Sequence, residues 1–338
     1  MRGNADPAPI LDLIEAFRRS KTMFTAVRLG IFDQLEAEHQ AAEALAAKLN
    51  LNAGALARLL NACVALELLD RNNQTYENTP RASKYLVSTS PDTLAGYITY
   101  SDQSLFHLWG HLDDAVREGT NRWAQTFGSR DALFDYYFRD PTATASFVSA
   151  MNGFGRLSSP FVVRGFDLSR FSHLIDVGGA TGHLAIAACE AYPNLHATVL
   201  DLRRIEPYAR AHIAKSTVGH RVQFVTGDFF TDPLPCGDLY ALGRILHDWS
   251  DSQIADLLGK ISHAVAPGGG VLVLEALVDD DRSGPVYALM QDLNMLVCTD
   301  GRERTFAEYR ALLEASGFTD VRPHRTGSLL DAVLGIKR

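Results

Sequence analysis

The chain has 338 residues, a formal net charge of −8 and 46% hydrophobic side chains, which is material for a large core. That length suits two domains of about 100–200 residues. The acidic balance, with a pI near 5.8, argues against a nucleic-acid partner, which needs a concentrated basic face, and no apolar run reaches the roughly 20 residues that cross a bilayer.

In chain order, Met1–Ala8 lacks the apolar region of a secretion signal, so a cytoplasmic protein is expected. Residues 9–165 read as almost entirely helical. Ile10, Leu11, Leu13, Ile14 and Phe17 recur at helical spacing, as do Phe24, Val27, Leu29, Ile31 and Phe32, with Gly30 as a break. A helix at 41–49, an N-cap at Asn52, a helix at 53–69, a polar turn at 70–74 and a short segment at 75–79 outline a winged helix. Longer helices are predicted at 105–118 and 141–163. The pattern changes near 166. Short apolar runs at 173–177, 197–200, 222–225, 239–242, 271–274, 318–323 and 332–335 alternate with helical stretches, which predicts a mostly parallel sheet covered on both faces. The last two runs form a hairpin, so one of them runs antiparallel. The expected domains are therefore 1–165, helical, and 166–338, α/β. Cys63, Cys189, Cys236 and Cys298 have neither zinc nor dithiol spacing and read as reduced thiols.

Ligands of open α/β sheets sit outside the carboxyl ends of the strands. The first strand runs into Gly178-Gly179-Ala-Thr-Gly182, where bare backbone permits close approach of a ligand. The second ends at Asp201-Leu202, 19 residues after Gly182, and a carboxylate there suits a ribose diol. A dinucleotide site shares both features. The spacing differs from G-x-G-x-x-G, however, and no phosphate-binding lysine follows, which favours a sulfonium methyl donor. After the third strand, Asp228 can accept from an adenine amine while Phe229 packs on the ring. After the fourth comes Arg244-Ile-Leu-His-Asp-Trp249. Attack by a phenol on a methyl group needs its proton removed, and an imidazole of pKa about 6.5 can take it as the bond forms. His247 is placed for this role, and Glu275 and Glu303 are candidates to orient it.

Asp176-Val-Gly-Gly, Gly227-Asp-Phe-Phe, Arg244–Trp249, Ala266-Pro-Gly-Gly269 and Gly301-Arg-Glu-Arg-Thr305 resemble the winged-helix small-molecule O-methyltransferases. Trp109–Gly119 and Leu293–Val297 look most like the acetylserotonin branch, and the likeness runs from about residue 10 to the C-terminus. It implies a seven-stranded Rossmann-like class I methyltransferase domain behind a helical dimerisation domain, a homodimer, S-adenosylmethionine as donor with S-adenosylhomocysteine as product, and no metal. It implies His247 as base flanked by Glu275 and Glu303. Gly178, Gly179, Gly182, Asp201, Leu202, Asp228, Phe229 and Arg244 fall at the donor, and Asp248 and Asn294 at the acceptor. Trp249, Phe106, Trp109, Phe127, Met151, Phe154, Met290 and Cys298 complete a pocket for a small aromatic substrate such as a phenol, hydroxyindole or polyketide. The chain departs from acetylserotonin-type enzymes, which have Gln at Cys298, an aromatic near Gly155 and Tyr at Phe138.

Two other readings are open. A donor-sensing DNA-binding regulator would use the helix at 53–69, but Arg58 is its only cation, too few to neutralise phosphates. A same-fold enzyme of donor-assisted decarboxylation or hydroxylation is disfavoured by retention of His247, Glu275 and Glu303, and fold alone does not decide between them.

Overall fold

The computed structural model describes residues 6–128 and 133–338; the start of the Met1–Ala8 stretch lies outside them. Two compact units are formed, Met1–Ser104 and Leu105–Arg338.

In the first unit, the apolar groups at 10–17 and 24–32 do not form two helices. One helix, Ala8–Arg28, carries through the polar Ser20–Thr22, and the break comes at Gly30, whose left-handed φ of 70° turns the chain into Ile31–Ala37. Helices Ala42–Leu49 and Ala53–Ala65 follow, with the Asn52 side chain accepting from the Ala55 N–H at 2.9 Å as an N-cap. The second helix stops short of 69 because Glu67 is left-handed, at φ 57°. The residues at 69–74 are then a strand and a tight turn. β1 (Gln40–Ala41), β2 (Leu69–Asn72) and β3 (Thr75–Asn78) pair antiparallel in the order β1-β3-β2. This small sheet corrects the almost all-helical expectation. β2 reads as a polar turn because only Leu69 of its four residues is buried. Ile31, Phe32, Leu35, Leu45, Leu60 and Cys63 fill the core. Asp102, 2% exposed, is paired to Lys21 and Arg28 of the first helix.

The second unit begins with the helices Phe106–Trp109, Leu112–Glu118, Trp123–Phe127, Leu133–Tyr137 and Pro141–Val162. The helix expected over 105–118 is interrupted at Gly110-His111. These helices group with the sheet-bearing residues rather than with residues 1–104, and they bond to the elements that flank the sheet: Trp109 Nε1 donates to Asn294 on the helix Val286–Cys298, and Thr181, in the turn after His173–Val177, donates to Asn152. The compact unit therefore begins about sixty residues before the change in sequence pattern near 166.

The sheet comprises β4 (His173–Val177), β5 (His196–Asp201), β6 (Val222–Thr226), β7 (Leu239–Gly243), β8 (Gly270–Glu275), β9 (Phe318–His324) and β10 (Asp331–Lys337), ordered β6-β5-β4-β7-β8-β10-β9. The first five are parallel, and β10 runs antiparallel to both β8 and β9. All six residues of β8 are buried, as expected of a strand covered on both faces. The chain winds outward from β4 to β5 and β6, then returns to β7 and β8. The switch point therefore lies between β4 and β7, and the carboxyl ends of five parallel strands share one edge. Among the described residues no helix is long and apolar enough to cross a membrane.

Candidate active site

At the switch point, β4 passes into a turn with Gly178 and Gly182 in left-handed backbone, and Gly182 begins the helix His183–Ala191. The Asp201 carboxylate at the end of β5 reaches back to this turn. One oxygen accepts the Ala180 N–H at 2.8 Å and the other the Leu202 N–H at 2.7 Å. Burial pushes Asp201 up to about 6, against the pull of those two bonds. Its neighbour Asp176 is pushed up to about 7, first by burial and then by Asp201. Each Asp201 oxygen accepts only one backbone N–H, so this half-buried carboxylate retains lone pairs for further donors, such as a diol.

Beyond β6, Asp228 Oδ1 accepts the Phe230 N–H and the Asp228 N–H donates to Asp232, both at 2.9 Å. The rings of Phe229 and Phe230 lie 4.7 Å apart, and Phe230 meets Trp249 edge-on at 4.8 Å. After β7, Arg244 takes a left-handed φ of 57°. Its guanidinium donates to Met151 Sδ at 3.4 Å and lies 4.5 Å over the ring of Phe154.

His247 follows in a short turn, 2% exposed, beside Glu275 and Glu303, both at 0%. Its Nδ1 is 2.7 Å from Glu303 Oε1 and 3.2 Å from Glu275 Oε2. Only the first contact has hydrogen-bond geometry. Glu275 serves the backbone instead: its Oε1 accepts the N–H groups of Ile245, Leu246 and His247 at 2.9–3.4 Å. Burial would lower the imidazole pKa, but Glu275 and then Glu303 outweigh it and hold His247 at about 9. Burial raises Glu275, with the His247 charge opposing. The same three side chains offer ligand atoms within 4.8 Å of one another, so a cation is a second chemical possibility. With Nδ1 engaged by Glu303, the imidazole has Nε2 left for proton transfer; Asp248 Oδ1 lies 3.7 Å from it.

An O-methyltransferase domain model matches residues 109–319, and an O-methyltransferase dimerisation domain model matches residues 11–88. The chain is 40% identical to acetylserotonin O-methyltransferase of Gallus gallus, covering 98% of this chain and 97% of that one. It is also 40% identical to a human probable bifunctional dTTP/UTP pyrophosphatase/methyltransferase protein, spanning 98% of this chain and about half, 54%, of that protein. The chain belongs to the O-methyltransferase family. The structure of human N-acetylserotonin methyltransferase in complex with SAM superposes with a TM-score of 0.93 at 38% identity, covering 100% of this chain and 99% of that one. The architecture is accordingly the class I methyltransferase fold behind an N-terminal helical dimerisation domain.

Within this O-methyltransferase, the structure joins most residues singled out from the sequence. Gly178, Gly182, Asp201 and Leu202 meet at one turn, Arg244 bridges Met151 and Phe154, and His247, Glu275 and Glu303 are in contact. Asn294 Oδ1 accepts from Trp109 Nε1 at 2.9 Å and lies 3.8 Å from Cys298 Sγ, so three acceptor-side candidates share one cluster. Phe106 and Met290 are 38% and 45% exposed. Phe127 packs in an aromatic group with Trp123 and Tyr136, its ring tilted against theirs at 5.3 and 4.8 Å.

Three features escaped the sequence. Arg304, 1% exposed, donates to the Leu246, Arg302 and Trp249 carbonyls and to Asp251, bracing the His247 turn from below. Gly301 lets that loop approach, since a Cβ there would lie 2.1 Å from the His247 carbonyl oxygen. His183 packs against bare Gly155, where a Cβ would fall 2.2 Å from Nε2, and its Nδ1 is 2.9 Å from Ser159 Oγ. The motif Gly301–Thr305 held the first two, but only spacing on the chain was visible; the Gly155–His183 contact left no sequence signal.

Proposed function

We propose that this O-methyltransferase methylates a hydroxyl of a small, planar aromatic acceptor with His247 as general base and without a metal. The observation that carries the reading is the 2.7 Å Nδ1–Glu303 contact, which leaves Nε2 as the working nitrogen of a buried imidazole. An imidazole held at about 9 comes within about one unit of a phenol, near 10, so proton transfer during attack is close to balanced. Glu303 orients the ring and stabilises the imidazolium. Glu275 ties the turn that carries it, through three backbone N–H groups. That use of Glu275 favours the base over a cation centre, because one of its oxygens is already satisfied by backbone donors.

The methyl donor is S-adenosylmethionine, which supplies a sulfonium-bound methyl group and needs no acid for its neutral leaving group. The residues present fit it. Asp201 would hold the ribose hydroxyls, Asp228 the adenine amine and Phe229 the ring, and Gly178, Gly179, Gly182, Leu202 and Arg244 would border it. On the acceptor side, Trp109, Met151, Phe154, Asp248, Trp249, Asn294 and Cys298 would enclose a flat ring, with Phe106 and Met290 at its rim. Trp109 and Cys298 both address Asn294 Oδ1, which leaves its amide N–H groups to meet an oxygen of the acceptor. Cys298 supplies only a weakly bonding thiol, already directed at Asn294, where an acceptor bearing an amide side chain would need a strong hydrogen-bond partner, so simple phenols or hydroxyindoles suit the pocket better than N-acetylserotonin.

Transfer of labelled methyl from S-adenosylmethionine to a phenol and hydroxyindole panel tests the reading. His247→Ala should lose about 10²–10⁴ in turnover while S-adenosylhomocysteine binds as in the parent. Equal turnover in parent and variant defeats the base assignment.

A further inference from the structure

Three backbone carbonyls of the turn after β6 converge on one ammonium. Lys260, on the helix Asp251–Ala264, donates from Nζ to the carbonyl oxygens of Phe229 at 2.9 Å, Phe230 at 3.2 Å and Asp232. A lysine ammonium has three N–H donors, and all three are thereby used. The other hydrogen bonds of residues 228–232, among the described residues, run within the segment: Asp228 to Asp232, Phe230 to Asp228, Thr231 to Asp228 and Asp232 to Asp228. Those bonds shape the turn without attaching it to anything. Lys260 is therefore its hydrogen-bonded tether to the body of the unit, beside the apolar packing of Phe229 and Phe230 on Trp249 and the core.

We propose that Lys260 is a positioning residue for the adenine end of the methyl donor. It gathers the carbonyls of the turn onto one side and so fixes the backbone from which Asp228 and Phe229 project. This rests on reading those two residues as the adenine contacts. A site held in its bound shape beforehand spends less binding free energy on ordering, so loss of the tether should appear in donor affinity. The helix that carries Lys260 starts directly after Trp249, with Ser250 and Gln253 forming its capping box. The tether therefore also sets the adenine turn relative to the loop that holds His247.

The test compares Lys260→Met, which keeps the aliphatic stem and removes the donors, with Lys260→Arg and Phe229→Ala. Calorimetry with S-adenosylhomocysteine should show about tenfold weaker binding for Lys260→Met, the loss expected for charged hydrogen bonds that act through preorganisation. Lys260→Arg should recover part of it, because a planar guanidinium meets three converging oxygens imperfectly. The KM for S-adenosylmethionine should rise in step, with a much smaller change in kcat on the best acceptor of the panel. Amide exchange at 228–232 in the unliganded protein should quicken. If Phe229→Ala weakens binding while Lys260→Met binds like the parent, the tether is refuted and the adenine reading stands. If Phe229→Ala binds like the parent, the adenine reading fails and takes the proposal with it. A loss of kcat in proportion to lowered melting temperature, with donor affinity unchanged, assigns Lys260 to folding alone and also overturns the proposal.

Discussion

Glu303→Gln should separate base strength from base position in this site. Glutamine keeps an oxygen able to accept from His247 Nδ1, now at 2.7 Å, so the ring stays in place while one negative charge is lost. Two unit charges about 4 Å apart at an effective dielectric near 20 interact by about 4 kcal/mol, or roughly three pKa units as an upper bound. His247 stands at about 9 with Glu275 and Glu303 acting together against burial. Removing one of the pair should lower it by about 1.5 units. A base acts only in its neutral form. At pH 7 the neutral fraction is about 1% in the parent and about a quarter in the variant, whereas near pH 9.5 both are mostly neutral. The ratio of variant to parent rate should therefore fall by about an order of magnitude between pH 7 and 9.5, whatever the intrinsic loss from a weaker base. Initial rates of labelled methyl transfer at saturating donor, with one phenol throughout, give this ratio directly, because ionisation of the acceptor cancels. A ratio independent of pH would refute the claim that Glu303 charge sets the base.

Gly155→Ala should cost about 1–3 kcal/mol, since its Cβ would fall 2.2 Å from His183 Nε2; thermal melts should show the loss largely relieved in the Gly155→Ala, His183→Ala double variant. Asp201→Ala should weaken S-adenosylmethionine binding by about 1.5–3 kcal/mol, the value of hydrogen bonds to a charged group, as read by calorimetry. Chelators should leave the rate unchanged; a loss restored by adding a divalent cation would favour the cation reading of His247, Glu275 and Glu303. Cys298→Gln should raise kcat/KM for N-acetylserotonin relative to simple phenols, and N-acetylserotonin as the best acceptor of the unaltered enzyme would contradict the specificity argument.

The sheet and its carboxyl edge were legible because each buried strand is an apolar run that stops abruptly at a glycine or a charged residue: Val177 before Gly178, Leu200 before Asp201, Gly243 before Arg244 and Leu274 before Glu275. Asn52 was legible as a cap because its side chain acts within three residues of itself. What failed was non-local or exposed. β2 is polar because it faces water, so its alternation carries no apolar signal. The first helix crosses Ser20–Thr22, residues that look like a gap between two apolar groups although lysine tolerates a helix interior well. Arg304 and Lys260 act on carbonyls 58 and 31 residues away, respectively, and a cation that serves backbone carbonyls has no partner residue type to search for.

Two histidines near the same sheet edge show why residue type alone does not separate a candidate base from a packed imidazole. Burial lowers both imidazoles. At His183 nothing opposes it: the Nδ1 partner is the neutral Ser159 hydroxyl, and His212, Arg244 and Arg156 add repulsion, so the ring is pushed down to about 3 and stays neutral. At His247 two buried carboxylates reverse the sign and hold the ring at about 9. A ring at 3 is too weak a base to draw a proton from a phenol near 10, a gap of about seven units, whereas a ring at 9 is nearly matched. The distinction is made by Glu275 at the end of β8 and by Glu303 on the loop that Gly301 allows to approach. If His247 is the base as proposed, its strength is a property of the packing around it and should follow the carboxylates when they are changed.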